Sequence, residues 1–381
     1  MKSSLDKHYE WRGKIETSLR VPLETKEDLA IAYTPGVAEA CLAIKEDETL
    51  SFELTRRWNT VAVVTNGTAV LGLGDIGPVA AMPVMEGKAA LFKQFANIDA
   101  VPICIATNHV DEFVDVLALL EGSFGGINLE DIASPKCFEI ERRLKERLNI
   151  PVFHDDQHGT AIVTLAAVNN AIRLTGKNKD TARIIINGIG AAGTAIAHLL
   201  VLAGYKDIIA CDKDGVICRG TSMPKSVHQK ELAQITNLCE LKGSLANALV
   251  DADVFIGVSV ANCLTYDMVK SMNKKSCVLA MANPVPEIMP DIALAAGAYI
   301  VGTGRSDFKN QINNSLAFPG VFRGALDART CAITDDMKIA AACAIAKSVS
   351  DSELSPDYII PDALDKDVPY LVAEAIKSSV K

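Results

Sequence analysis

The sequence predicts an α/β protein whose second half is a Rossmann-type, doubly wound parallel sheet. Three observations predict it. From about residue 160, short apolar runs alternate with helical segments. The run ARIIING (182–188) has no polar face, as a strand covered on both sides requires. A Gly-x-Gly-x-x-Gly segment then leads from that strand into a helix.

The elements follow in order. In the first ~150 residues, VAVV (61–64), AVLGL (69–73) and VPICIA (101–106) read as short strands among helical stretches, each bounded by Gly, Asn or Pro. Pro135–Leu148 reads as an amphipathic helix, since Phe138, Ile140, Leu144 and Leu148 recur near helical spacing and Pro151 follows. IPVFHDD (150–156) reads as a strand entering a loop. Beyond residue 160, ARIIING is followed by a helix over 194–204 ending at Gly204, then the strand DIIACD (207–212). ADVFIGVSV, SCVLAMANP and AYIVGTG supply three more strands within 252–304, and two helices follow near 334–349 and 367–379. The division expected is an N-terminal α/β catalytic domain over 1–159 and the doubly wound domain with C-terminal helices over 160–381.

Composition narrows the function. The chain has 381 residues, 47 acidic against 38 basic, for a formal charge of −9; 49% are hydrophobic. An acidic balance argues against nucleic acid as a partner, which needs clustered Lys and Arg. No apolar run approaches a membrane span, and the start, MKSSLDKHYEWRGK, lacks the apolar centre of a signal peptide. Ten scattered cysteines with no Cys-x-x-Cys pair fit buried, reduced thiols, so a cytoplasmic location is expected.

The glycine fingerprint occurs twice. Gly188-Ile189-Gly190-Ala191-Ala192-Gly193 has the context a dinucleotide site needs: a buried strand before, a helix after, and Asp212 ending the next strand 19 residues past Gly193. Small residues let backbone N–H groups approach a pyrophosphate at the helix N-terminus, and the acid hydrogen-bonds ribose hydroxyls. The other copy, Gly72-Leu73-Gly74-Asp75-Ile76-Gly77, lacks that context. Pro78 can open a helix there, but Pro83 is expected to break it within two turns, and no acid ends the next strand. A sharp turn close to a ligand or a neighbouring segment is the better reading.

Two acidic pairs, Glu130-Asp131 and Asp155-Asp156, stand near expected turns. Clustered carboxylates suit Mg²⁺ or Mn²⁺, although isolated pairs also cap helices. HDDQH (154–158) approaches the zinc-binding His-Glu-x-x-His pattern, but Asp replaces Glu, no third ligand stands out and the segment does not read as a helix.

Seven blocks then resemble one family in order: YTPGVAEAC (33–41), TNGTAVLGLGDIGPVAAMPVMEGKAALFK (65–93), NLEDIASPKCFEIE (128–141), IPVFHDDQHGTAIV (150–163), GIGAAGTA (188–195), MANPVPE (281–287) and NNSLAFPG (313–320). The chain resembles the small-subunit malic enzymes over nearly its whole length. The resemblance implies oxidation of L-malate by NAD or NADP with Mg²⁺ or Mn²⁺, releasing CO₂ and pyruvate, and a homodimer is expected. It implies Glu130, Asp131 and Asp156 as metal ligands, Lys88 as the base for the C2 hydroxyl, and Asp155 as the carboxylate orienting Lys88. It implies Tyr33 as the acid that protonates C3, with Asn283 and Asn314 contacting substrate and Asn283 also near the nicotinamide ribose. Gly188, Gly190, Ala191, Ala192, Gly193 and Asp212 would hold the dinucleotide.

Two departures matter. Large-subunit members carry an Arg before the G-L-G-D turn that holds a malate carboxylate; Ala69 and its neighbours occupy that stretch here, leaving the anchor unassigned. Lys213 follows Asp212, so the acid favours NAD while the lysine could meet a 2′-phosphate. Malolactic conversion to lactate and a non-catalytic dinucleotide sensor are the competing readings.

Overall fold

Two parallel sheets carry the architecture. The computed structural model describes residues 3–70, 72–219 and 227–380. It opens on four short helices, α1 (Ser4–Trp11), α2 (Lys26–Ala32), α3 (Val37–Glu46) and α4 (Ser51–Leu54). Ser3 and Thr25 cap the first two by reciprocal bonds with Asp6 and Asp28. None of the four buries a side chain, and Leu5, Leu19, Ile31 and Leu42 all stand exposed.

The first sheet contains β1 (Thr60–Thr65), β2 (Asp99–Cys104), β3 (Gly126–Leu129) and β4 (Val152–His154), in the order β2-β1-β3-β4 and parallel throughout. Helices α5 (Gly77–Ala96), α6 (Val110–Leu119) and α7 (Lys136–Arg147) make the crossovers.

Three local expectations change here. The run 69–73 is not a strand: Val70 pairs with Gly74 in a tight turn, and Leu71 lies outside the described residues. Gly72 has φ +77°, and a Cβ there would stand 2.6 Å from the Asn283 carbonyl oxygen, so this glycine copy packs backbone against a neighbouring segment. Pro83 does not break α5, which runs through it. The carbonyl left without a partner belongs to Val79, an exposed residue open to water. Finally, α8 (Asp155–Thr175) begins on the residue after β4. HDDQH therefore lies at a strand–helix corner, with Asp155 and Asp156 in a first turn where the helix dipole favours carboxylates.

Helix α8 is buried along most of its length, and the expected 159/160 boundary falls within it. The second sheet follows: β5 (Arg183–Asn187), α9 (Ala191–Leu202), β6 (Asp207–Asp212), β7 (Gly215–Val216), α10 (Val227–Ile235), α11 (Leu245–Leu249), β8 (Val254–Gly257), α12 (Tyr266–Lys270), β9 (Cys277–Ala280), α13 (Pro290–Ala295) and β10 (Ile300–Thr303). Its order is β10-β9-β8-β5-β6-β7, with β7 antiparallel to β6. Strand β5 has β6 on one side and β8 on the other, so strand order reverses there and opens the crevice where doubly wound sheets bind ligands.

The last helices, α14 (Phe318–Asp327), α15 (Asp335–Ser348) and α16 (Val368–Ser378), return to both halves. Phe318 and Phe322 meet the Phe92 ring edge-on at 4.7 and 5.3 Å, and Phe322 lies 5.8 Å from Phe153. Helix α15 packs on α8. One apolar core thus joins α5 and β4 to α8, β5 and the C-terminal helices.

Candidate active site

Adjacent parallel strands deliver the acidic pairs to one place. Leu129 at the end of β3 is in register with His154 at the end of β4. The next residues, Glu130-Asp131 and Asp155-Asp156, therefore leave the sheet side by side. One oxygen from each of Glu130, Asp131 and Asp156 lies within 4.8 Å of the other two. The Asp131 backbone N–H donates to Asp156 Oδ2 at 2.8 Å, and the Asn128 amide donates to Glu130 Oε2 at 2.9 Å.

Lys88 enters from α5. Only 7% exposed, its Nζ lies 2.6 Å from Asp155 Oδ2, 2.9 Å from Glu130 Oε1 and 4.3 Å from the centre of the Phe318 ring. Burial pulls its pKa down, but the charges of Asp155 and Glu130 win and the ammonium sits well above its ordinary value. Burial pushes the Asp155 carboxyl up to about 7 and Asp156 up to about 6; Lys88 opposes both shifts and neighbouring carboxylates add to them. Glu130 is raised, chiefly by burial. Two carboxylates touch this ammonium, and one of them, Glu130, also belongs with Asp131 and Asp156 to an oxygen donor set that fits a hard divalent cation.

Of the other expected residues, Asn314 opens a 3₁₀ turn beside α8, and its side chain and the Asp155 carboxylate both stand against Gly159, so it lies next to the cluster. Asn283 follows β9 on an exposed loop against Gly72 and Gly304. Tyr33 does not join: it ends α2, is 67% exposed and makes no hydrogen bond to the cluster.

Among the described residues, neither histidine of HDDQH belongs to a cluster of three metal-ligand atoms. His154 is the last strand residue rather than a helical one, and His158 Nε2 sits 2.9 Å from both Glu141 oxygens. Glu141 also accepts from Lys145 Nζ at 2.7 Å and the His154 backbone N–H at 3.2 Å. It clasps α7 to the corner carrying Asp155 and Asp156. The sequence reading passed over Glu141, Asn128 and Phe318. Asn128 could have been found two residues before Glu130, since alternate strand residues share a face.

On the second sheet, the Gly188–Gly193 loop joins β5 to α9. Gly188 has φ +104°, and a Cβ at Gly193 would strike the Gly188 carbonyl. A Cβ at Gly190 would meet nothing within 4 Å, which leaves the turn open for close approach. Ala191 and Ala192 begin α9 without bulk. Asp212 ends β6, its carboxylate held by the Asp214 N–H at 2.8 Å and the Gln229 amide at 3.3 Å.

A doubly wound sheet with this loop, joined to a sheet presenting a buried lysine among carboxylates, defines a dinucleotide-binding α/β oxidoreductase. The chain belongs to the malic enzyme family. It matches the malic enzyme N-terminal domain over residues 12–145 and the malic enzyme NAD-binding domain over 157–380. It is 56% identical over 365 residues to the bifunctional malic/malolactic enzyme of Bacillus subtilis, covering 96% of this chain and 89% of that one. It is 52% identical over 364 residues to the NAD-dependent malic enzyme of Geobacillus stearothermophilus, covering 96% and 76%. The crystal structure of NAD-dependent malic enzyme from Thermotoga maritima superposes with a TM-score of 0.97 at 48% identity, over 100% of both chains.

Proposed function

We propose that this malic enzyme oxidatively decarboxylates L-malate to pyruvate and CO₂ with NAD⁺ or NADP⁺, using Mg²⁺ or Mn²⁺. The contact of Lys88 Nζ with both Asp155 and Glu130, beside the three-carboxylate cluster, carries the reading. Glu130, Asp131 and Asp156 would hold the divalent cation, which when bound supplies positive charge that polarises the substrate's C2 oxygen and neighbouring carboxylate. Lys88 Nζ would take the C2 hydroxyl proton as hydride leaves C2 for the dinucleotide, but only as the neutral amine, a form favoured once a cation held by Glu130 offsets the carboxylate charge that now raises the lysine pKa. Asp155 fixes the ammonium's direction, and Asn314 stands beside Asp155 to contact substrate. Loss of CO₂ leaves its bonding electrons as an enolate, which takes a proton at C3 from the Tyr33 hydroxyl to give pyruvate. Asn283 orients substrate and nicotinamide ribose from the second sheet. Appearance of reduced dinucleotide with malate and Mn²⁺, abolished by a chelator, tests the reading.

A second reading is favoured by one observation: the 56% identical relative is named a malic and malolactic enzyme. Assaying lactate against free reduced dinucleotide separates the two.

A homodimer is the assembly the surface supports. The first four helices have no fully buried residue yet they and the adjoining Tyr33 carry many exposed apolar side chains. A second copy covering this arm brings Tyr33 into an interface. The division near residue 160 and a cytoplasmic location complete the proposal; no described helix is long and apolar enough to cross a membrane.

A further inference from the structure

Glu287 is a completely buried carboxyl with no ion-pair partner among the described residues. Its oxygens are not idle. Oε1 accepts the Ser259 backbone N–H at 2.8 Å and the Ser259 hydroxyl at 3.3 Å, while Oε2 accepts the Ala282 N–H at 3.0 Å. Ser259 follows β8, and Ala282 follows β9 immediately before Asn283. One side chain thus ties together the loops at the carboxyl ends of two adjacent parallel strands. Backbone bonds from Asn262 to Pro286 and from Leu264 to the Glu287 carbonyl add to the tie. Space for the carboxyl is made by Gly257 at the end of β8, where a Cβ would collide with it.

A buried carboxylate without a counter-charge is costly unless hydrogen bonds compensate it. Burial raises the Glu287 pKa, and the Ser259 and Ala282 donors pull it back. The position of this tie in the sheet indicates what it serves. Asp212 on β6 lies on one side of β5, where the fingerprint acid meets the adenosine ribose. Strands β8 and β9 lie on the other side, so the second half of a dinucleotide extends over the two loops that Glu287 joins.

We propose that Glu287 is a positioning residue that fixes the loops after β8 and β9 as the platform for the nicotinamide half of the dinucleotide. The inference rests on the dinucleotide reading given above and adds a residue to it. Glu287→Gln keeps the shape but replaces one acceptor oxygen with an NH₂ group, leaving one loop N–H unpaired. Glu287→Asp keeps the charge but withdraws the carboxyl by one methylene, out of reach of both loops at once.

The test measures binding of NAD⁺ and of ADP-ribose, which lacks nicotinamide, to the full-length wild type and both variants, alongside kcat and the melting temperature. The expected result is NAD⁺ affinity at least 10-fold weaker and kcat lowered in both variants, with ADP-ribose affinity within twofold of wild type. A lower melting temperature with unchanged NAD⁺ affinity and kcat would make Glu287 purely a stabilising residue and overturn the proposal. Equal weakening of both ligands would overturn it too, by moving the effect off the nicotinamide half. If Glu287→Gln does not fold, Glu287→Asp decides by the same comparison. Wild type that binds neither ligand would sink the dinucleotide reading itself, an outcome separate from the others.

Discussion

Lys88 Nζ and Glu130 Oε1 are 2.9 Å apart, so the group proposed to take the substrate's proton touches a carboxylate proposed to hold the metal. On those proposed roles, proton transfer and metal binding would be coupled through this contact. Any charge placed on Glu130 alters how firmly Lys88 keeps its proton.

Lys88 and Tyr33 are expected to fail differently. Lys88→Ala removes the acceptor of the hydroxyl proton and should give no reduced dinucleotide, even in a single turnover. Tyr33→Phe should lower steady-state turnover by ~10²–10⁴-fold, the usual worth of general acid catalysis. It should still allow a burst of reduced dinucleotide, because its step comes after oxidation. Stopped-flow absorbance at the reduced nicotinamide band reads both, and a burst from Lys88→Ala but none from Tyr33→Phe would reverse the assigned order.

Mixing these two inactive variants reads the assembly. Tyr33 is two-thirds exposed at the end of α2, a helix with no fully buried residue. Co-refolded Tyr33→Phe and Lys88→Ala chains should recover part of the wild-type rate, since one site of a mixed dimer would receive both intact residues. No recovery, from a sample shown to contain mixed dimers, would put the two residues to work within one chain.

Asp156→Asn should lose malate-dependent turnover and bind Mn²⁺ far more weakly, with dinucleotide affinity nearly unchanged because the Gly188–Gly193 loop belongs to the other sheet. The metal-free variant should nonetheless melt a few degrees higher at pH 7.5. The sign follows from the Asp156 carboxyl being pushed up to about 6 from its ordinary 3.8. Between those values the folded chain holds a proton that the unfolded chain has released, so this group's contribution to stability declines as pH rises through that window. Asparagine removes the ionisation. In wild type, Mn²⁺ affinity should climb from pH 5 to 7.5 as the carboxyls release their protons. A flat affinity profile, or an unshifted melt, would contradict the assignment.

Asp212→Ser should shift preference from NAD⁺ toward NADP⁺. Losing a hydrogen bond to the ribose diol and losing repulsion toward a 2′-phosphate act in the same direction, each worth ~1–3 kcal/mol. The ratio of kcat/KM for the two dinucleotides reports it. An unchanged ratio would remove Asp212 from the site.

Much of this was legible locally. ARIIING and DIIACD read as strands because parallel, doubly covered strands need unbroken apolar runs, and both are strands. The acidic pairs could be picked out by residue type, but their convergence depends on the register of β3 against β4, which no periodicity encodes. Pro83 misled because a local rule forbids it mid-helix, whereas tertiary packing of α5 holds the helix and leaves the orphaned carbonyl at the surface. Phe318 was hidden for a similar reason. Its place over Lys88 arises from α14 returning across the chain to α5, a contact between residues 230 positions apart.

That return has a consequence for biosynthesis. The strands of the first sheet emerge from the ribosome by His154, but Phe318 and Phe322, which close over Phe92 and Phe153, are translated more than 160 residues later. Through that interval the nascent sheet keeps an oily face that its own half of the chain does not cover, a state open to aggregation. The first half is therefore completed only once α14 has been made, more than 160 residues after its last strand.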